Sequence, residues 1–224
     1  MEAEIVIPDE VPVMTLPDVA FFPQALMPLH IFEPRYREML SQVLATNRLF
    51  AVAGLDPTSD PGEERLHRVA TIGIVRACNK NEDGTSNLLL QGLARIACND
   101  IMKEDPYRII RIQTLTSIAG AASTQNMDLR QNLEKMIALK KHLGANVPDR
   151  FSQFLQTVED PETFVDLAAF TLCDDSSTKQ QLLETLDIHQ RLKLFARCLR
   201  RDITDLQLRQ RLQGSLPDDD IVNN

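Results

Sequence analysis

The first half of the chain carries its apolar residues in short runs that are typical of β-strands. Five such segments lie at residues 11–16, 49–55, 69–78, 87–96 and 107–118. Residues 79–86 separate two of them and contain Asp83-Gly84, a pair that tolerates the positive φ of a tight turn. The pattern therefore predicts a half dominated by β-strands, with a hairpin at residues 79–86.

One segment of this half has helical rather than strand-like periodicity. Residues 33–47 begin with Pro34 in the first turn, where its missing N–H costs no hydrogen bond. The apolar residues then recur every three or four positions and share one face: Tyr36, Met39, Leu40, Val43 and Leu44. We expect one helix here, lying across an opening of a β-barrel.

The second half changes to helical periodicity after a small, polar segment at residues 120–125. Helices are predicted at residues 127–143, 150–158 and 178–185. Another begins at Asp160-Pro161, and a long one begins at Asp187 and extends to Gln213, with Gly214 as its stop. The expected division is a barrel at residues 1–119, a helical bundle at residues 126–214 and a disordered acidic tail at residues 215–224.

Composition narrows the classes of partner. The 224 residues are 43% hydrophobic and include 32 acids against 24 lysines and arginines, which gives a net charge of −8. Nucleic-acid binding depends on basic residues that neutralise phosphates, so this balance disfavours a DNA or RNA partner. No apolar run reaches the roughly 18–20 residues that span a bilayer, and the acidic start does not resemble a secretory signal. We expect a cytoplasmic protein that makes no membrane contact.

The sequence lacks the short motifs of common catalytic and metal sites. It contains no G-x-x-x-x-G-K-[ST] for nucleotide phosphates, no G-x-S-x-G nucleophile elbow and no H-E-x-x-H zinc motif. The cysteines are scattered, without a C-x-x-C pair or histidines at ligand spacing: Cys78, Cys98, Cys173 and Cys198. They are expected to be free thiols in a reducing compartment. We expect no enzymatic activity, no cofactor and no metal.

Three stretches, in the same order along the chain, resemble the N-terminal, substrate-binding domain family of Lon proteases. The first is residues 16–39, LPDVAFFPQALMPLHIFEPRYREM, which carries the family pattern P-L-x-I-F-E-x-R-Y. The second is residues 72–96, in which Gly92 and Arg95 match the family's G-x-x-R step. The third is residues 160–199, which match the family's helical pattern. Together these matches extend over nearly the whole chain.

The resemblance implies an α+β fold, with an N-terminal PUA-like β-barrel that carries one helix, followed by a C-terminal α-helical bundle. Relatives often read V-G-T-I-G before the hairpin, whereas Ala70 replaces the first of those glycines here. Full-length Lon continues into an ATPase and a Ser–Lys peptidase, which we do not expect in this chain.

The function implied by the resemblance is a non-catalytic module. Its partners would be unfolded or exposed hydrophobic polypeptide segments, or a partner protein. One alternative is a scaffold or adaptor for a single dedicated partner, such as a separate ATPase or protease. Another is a PUA-like barrel that binds a small molecule or RNA. The sequence leaves the oligomeric state open.

The P-L-x-I-F-E-x-R-Y motif contains the first candidate binding residues. These are His30, Glu33, Arg35 and Tyr36. On the functional interpretation they lie on the rim of a cleft near the barrel mouth, since Arg and Tyr are favoured anchors at recognition sites. On the architectural interpretation, Ile31 and Phe32 fill the barrel, and Glu33 with Pro34 starts the helix.

Phe21, Phe22 and Met27 are the second set of candidate binding residues. Successive side chains of a strand point to opposite faces, so one of the two phenylalanines is expected to be exposed if this segment is a strand. An exposed ring near Met27 would form an apolar patch suited to unfolded segments. Packing of both rings in the core is the alternative.

A basic run near the C-terminus is interpreted as the solvated face of a bundle helix. It comprises Arg191, Lys193, Arg197, Arg200 and Arg201 around an apolar stripe. Contact with nucleic acid is the alternative, which the net negative charge disfavours.

Overall fold

The computed structural model describes residues 5–60 and 64–214, and the tail predicted at residues 215–224 lies outside these ranges. The described chain has an α+β fold, as predicted, with six strands and six helices. The strands are β1 (Glu10–Leu16), β2 (Leu26–Ile31), β3 (Leu49–Gly54), β4 (Val69–Lys80), β5 (Ser86–Lys103) and β6 (Ile109–Thr114). The helices are α1 (Pro34–Ala45), α2 (Ser123–His142), α3 (Asp149–Thr157), α4 (Pro161–Leu172), α5 (Ser176–Glu184) and α6 (Ile188–Gly214).

The strands form one sheet in the order β2-β5-β4-β3-β1-β6. β1 and β3 are parallel, and the other neighbouring pairs are antiparallel. The 18-residue β5 pairs with β4, with β2 along its first part and with β6 along its last part. Because β6 returns to β5, the ladder β5-β4-β3-β1-β6 closes on itself and leaves β2 beside it.

Alternate residues of the closed ladder share one buried apolar cluster. Its larger members come from all five of those strands: Val11, Leu49, Ile72, Ile96 and Ile110. Period-two burial of this kind explains why the apolar and β-branched runs of the sequence fold as strands. Gly84, which has a φ of 81°, lies in the hairpin between β4 and β5, so the predicted turn is confirmed.

A second, larger cluster joins the strands to the helices. The Phe21 and Phe22 rings pack edge-to-face against Phe170 of α4, with centroids 6.1 and 6.5 Å apart. The cluster continues through α1, α2, α4 and α6. The strand half therefore has one apolar cluster of its own and shares the larger one with the helices.

β2 is the strand that the apolar pattern did not predict. Pro28 lies in its middle, and a proline inside an apolar run argues against a strand because it cannot donate to the ladder. The exception is an edge strand, and β2 is hydrogen-bonded to β5 alone among the described strands.

α1 has the buried face that its sequence predicts. Tyr36, Met39, Leu40 and Val43 are buried, and Pro34 occupies the first turn. Leu44 is the exception, since it lies at the margin of the face and is partly exposed. Glu33 precedes the helix without capping it, and its carboxylate pairs with Arg35 instead.

Capping carboxylates fix the starts of three helices in the second half. Asp160 accepts a hydrogen bond from the Thr163 amide, and Asp175 accepts one from the Thr178 amide, each at 2.8 Å. Asp187 accepts one from the Gln190 amide at 2.9 Å, which confirms the predicted start of α6. These acids satisfy backbone donors that the first turn of a helix leaves unpaired.

The connection between the halves is shorter than predicted, because α2 already begins at Ser123 within the polar segment 120–125. Gly120 precedes it with a φ of 68° and lies against the Asp187 carboxylate. A bridge between Ile118 and Asp187 fixes the end of the strand half to the start of α6. None of the described helices combines the length and the apolar character that crossing a bilayer requires.

Gly92 is expected to be intolerant of a side chain. An alanine Cβ there would lie 2.1 Å from the Phe22 carbonyl oxygen. The Gly92 amide donates to the Ala25 carbonyl, and the Gly92 carbonyl accepts from the Gln24 amide. Gly92→Ala should lower the free energy of unfolding in urea by about 2 kcal/mol or more, as over-packing does.

Gly144→Ala is the matched control for that substitution. Gly144 has a φ of 88°, but no atom outside its immediate chain neighbours lies within 4 Å of the position that a Cβ would take. Only backbone strain then remains, which costs about 1 kcal/mol. Equal losses for the two variants would contradict the close approach at Gly92.

Candidate functional site

Arg95 and Asp166 form a buried ion pair where the strands meet the helices. The two terminal nitrogens of Arg95 on β5 donate to the two carboxylate oxygens of Asp166 on α4, each at 2.7 Å. The Nε of Arg95 donates to the Leu183 carbonyl at the end of α5, at 3.0 Å. One arginine from the sheet is therefore fixed to two helices.

Arg191 of α6 completes this network from the opposite side. Its Nη1 donates to Asp166 at 3.0 Å and to Glu162 at 3.1 Å. Its Nε donates to the Thr185 carbonyl, and its Nη2 donates to the Ser117 hydroxyl. Two arginines face two carboxylates, so the buried charges balance.

The interpretation of Arg191 as a solvated residue is wrong, since its side chain is 0% exposed. Arg191 can be buried because of a tertiary contact: Asp166 and Glu162 of α4 supply the compensating negative charge. The rest of the basic run is exposed, as predicted: Lys193, Arg197, Arg200 and Arg201.

A cavity of about 290 Å³ lies over this network, between the strand half and α4. Pro23, Leu93 and Leu115 contribute its apolar lining. Its buried polar lining, Arg95 and Asp166, is already paired within the protein. The network thus serves to hold the halves together rather than to present free hydrogen-bonding groups.

The outward face of β2 is a candidate site of a different kind. Its exposed side chains are Leu26, Pro28 and His30, and Phe32 follows at the same spacing. We call these four residues the β2 surface. Leu26 is 51% exposed at the start of β2, and Phe32 is 61% exposed just after its end.

The Phe32 ring is held in place although it is exposed. It stacks on the His30 imidazole with centroids 6.0 Å apart, and His30 Nδ1 lies 2.8 Å from the Asn87 side-chain oxygen on β5. An aromatic side chain oriented in this way loses little conformational freedom when a partner covers it. The β2 surface therefore has an ordered aromatic group at one end.

The outer edge of β2 is free within the described chain. β5 pairs with β2 from Leu26↔Gln91 to Ile31↔Ser86, and no described backbone group bonds to the other side of the strand. Pro28 removes one donor from this edge, which limits pairing with other strands. The apolar side chains, more than the backbone, are what this strand offers to a partner.

Charged groups border the β2 surface at the hairpin between β4 and β5. Asp83 accepts hydrogen bonds from the hydroxyl and the amide of Thr85, and these lower the pKa of its carboxyl. His30 and Arg37 act electrostatically in the same direction. The surface therefore has a large apolar side chain at each end, Pro28 and His30 between them, and charged groups beside it.

The structure separates the four predicted rim residues. His30 belongs to the β2 surface, whereas Arg35 and Tyr36 line a small polar pocket of about 140 Å³. The Tyr36 ring is buried, and its hydroxyl lies 3.0 Å from that of Thr15. Glu33 and Arg35 pair with each other at 2.9 Å, beside that pocket rather than on the β2 surface.

Phe21 and Phe22 are both buried, so the exposed ring considered for this segment is not present. The segment is irregular rather than a strand, so the alternation of faces does not apply and both rings enter the core. Met27 does lie in a strand, but on its inner face, where it is buried. None of these three side chains is part of the β2 surface.

The sequence contained a signal for the residues that were missed. In residues 26–32, LMPLHIF, buried Met27 and Ile31 alternate with exposed Leu26 and Phe32. The interpretation that Phe32 fills the barrel is wrong. Phe32 is exposed, and its side chain points to the face opposite that of the buried Ile31. A proline within an alternating run would have indicated an edge strand.

Comparison with protein families gives one family for nearly the whole chain. The model of the ATP-dependent protease La (LON) substrate-binding domain matches residues 10–201. A Lon protease of Desulfosudis oleivorans is 26% identical over 216 residues, and one of Desulfovibrio desulfuricans is 28% identical over 215. These matches cover 95% and 93% of the chain, but the chain spans only about a quarter of either relative, 26% and 24%.

Solved structures show the same fold. The N-terminal domain of a Mycobacterium avium complex Lon protease superimposes with a TM-score of 0.67 at 17% identity, covering 88% of this chain and 98% of that one. The Lon N-terminal domain protein of Xanthomonas campestris gives a TM-score of 0.62, also at 17% identity, covering 84% and 96%.

The buried ion network predicts a large effect of a small substitution. Asp166→Asn keeps the shape of the side chain but leaves Arg95 and Arg191 with one carboxylate, Glu162, which is partly exposed. Loss of one member of a buried charge network costs about 3–5 kcal/mol, and urea unfolding should show a decrease of that size.

Glu10→Gln is the control for an exposed ion pair. Glu10 and Arg111 lie 3.4 Å apart on the surface, and such pairs contribute about 0–1 kcal/mol. If Asp166→Asn cost no more than Glu10→Gln, the network would not hold the halves together.

Proposed function

Because the chain belongs to the LON substrate-binding domain family, we propose that it is a non-catalytic module that binds exposed apolar segments of other polypeptides. The β2 surface is the proposed site. The observation that carries this proposal is two exposed large apolar side chains, Leu26 on the edge strand β2 and Phe32 directly after it.

The chemistry of this surface fits an apolar and sequence-tolerant partner. Covering apolar area contributes about 25 cal/mol per Å², and an aromatic residue often supplies much of the binding energy at a recognition site. Leu26 and Phe32 offer contact area without a directional requirement, and His30 keeps the Phe32 ring oriented. A protein that binds segments of differing sequence does not need a groove shaped for one particular segment.

A PUA-like barrel at residues 1–119 and a helical bundle at residues 126–214 remain our assignment of the two halves. The return of β6 to β5 supports a barrel, and the succession of α2 to α6 supports a bundle. The shared core argues that the halves act as one unit in binding.

Recognition without hydrolysis is also part of the proposal. The relatives named Lon protease are about four times as long as the matched segment. Their name describes those longer proteins, and we do not extend protease activity to this chain. The sequence has no P-loop or nucleophile-elbow motif, and no group of three or more potential metal ligands occurs among the described residues. We propose a cytoplasmic location, which the four free cysteines support.

Substitution on the β2 surface should weaken binding to an unfolded polypeptide. We expect Leu26→Ser with Phe32→Ser to raise the Kd for a fluorescently labelled casein, a polypeptide with little stable fold, about tenfold or more. Fluorescence anisotropy measures the Kd, and circular dichroism checks that the variant remains folded.

Phe154→Ser is the matched control, because Phe154 on α3 is 51% exposed but belongs to the helical half. Its Kd should stay within about twofold of the unsubstituted protein. Equal weakening by both variants would indicate non-specific apolar contact. No binding of any unfolded polypeptide, together with one stoichiometric partner in co-purification, would favour the dedicated adaptor instead.

A further inference from the structure

Two cysteines of the helical half lie within reach of each other. Cys173 follows the last turn of α4, and Cys198 lies in the middle of α6. Their Sγ atoms are 3.7 Å apart, although the residues are separated by 25 positions in the sequence. A disulfide requires the sulfurs to approach to about 2 Å, so a shift of less than about 2 Å would join them.

The surroundings of the pair give the two thiols different reactivities. Either thiol can donate in the contact between the two sulfurs, and this contact favours the thiolate at Cys173 by lowering its pKa and raising the pKa of Cys198. Burial opposes the Cys173 thiolate, Lys179 favours it electrostatically, and Asp202 disfavours it. Thiolates are the nucleophiles of cysteine chemistry, so we expect Cys173 to react with an oxidant before Cys198 does.

Cys173 lies next to an exposed connection, whereas the other two cysteines lie on strands. Cys173 is buried, but it is followed at once by Asp174 and Asp175, which are exposed in the connection between α4 and α5. The other two cysteines differ, since burial raises the pKa of Cys98 to about 12, and neither Cys78 nor Cys98 contacts a second thiol in the described chain.

We propose that Cys173 and Cys198 form an oxidisable dithiol site, which a hydroperoxide converts into an intramolecular disulfide between α4 and α6. The Cys173 thiolate attacks one peroxide oxygen, which gives a sulfenic acid and releases hydroxide. The Cys198 sulfur then attacks the sulfenic sulfur, the S–S bond forms, and water leaves with the thiol proton. With hydrogen peroxide, two thiols are oxidised and one peroxide is reduced to two water molecules.

The disulfide connects the two helices that hold the buried ion network. α4 carries Asp166 and Glu162, and α6 carries Arg191. A covalent bond between these helices restricts the unfolded chain and limits their separation in the folded one. The oxidised protein should therefore be more resistant to heat than the reduced protein.

Mass spectrometry of the whole folded chain tests the site. The protein is treated with a small excess of hydrogen peroxide, alkylated while folded and again after unfolding, and then digested. We expect the linked Cys173–Cys198 peptide as the main oxidised product, with a mass loss of about 2 Da that dithiothreitol reverses. We also expect a higher Tm for the oxidised protein.

Two variants separate this site from general oxidation. Cys78→Ser with Cys98→Ser should keep both the linked peptide and the rise in Tm, whereas Cys198→Ser should lose both and leave Cys173 as an oxidised, unlinked thiol. Alkylation of both Cys173 and Cys198 after peroxide would overturn the proposal, and so would linked peptides that appear only in unfolded protein.

Discussion

The buried carboxylate of Asp166 is the constraint on which the arrangement of the two halves depends. It is 1% exposed and accepts hydrogen bonds from Arg95 of the sheet and Arg191 of α6. A charged group removed from water is stable only while its partners remain in place, and removing one partner leaves an uncompensated charge. The strand half and the helices therefore cannot separate by small steps, and their relative position is fixed.

This constraint extends to the surface that we propose for binding. Arg95 lies three residues after Gly92, whose lack of a side chain lets the backbone around Phe22 approach β5 closely. Phe22 is then held between the Arg95 guanidinium and Phe170 of α4. The chain leaves this contact through a turn at residues 23–24 and enters β2 at Leu26, so the β2 surface begins four residues after this contact. In the G-x-x-R step, Gly92 allows the close approach of the backbone and Arg95 supplies the charge that pairs with Asp166. Both residues connect β5 to its neighbours at the same place.

Local patterns predicted much of the fold. Some predicted features depend only on neighbours within a few residues, and these predictions are confirmed. They are the helix caps at Asp160 and Asp187, the buried face of α1 and the turn at Gly84. Arg191 and Phe22 could not be placed in this way, because their partners are distant in sequence and belong to other elements. Of the surface that we propose for binding, only His30 was among the predicted residues, because Leu26 and Phe32 depend on recognising an edge strand through its proline.

Hydrogen–deuterium exchange with and without a saturating unfolded polypeptide tests the central claim most directly, because it locates the contact without altering the protein. The account predicts slower exchange at backbone amides of β2 and Phe32, with little change across α2 to α6. Protection confined to the helices, with none at β2, would contradict it.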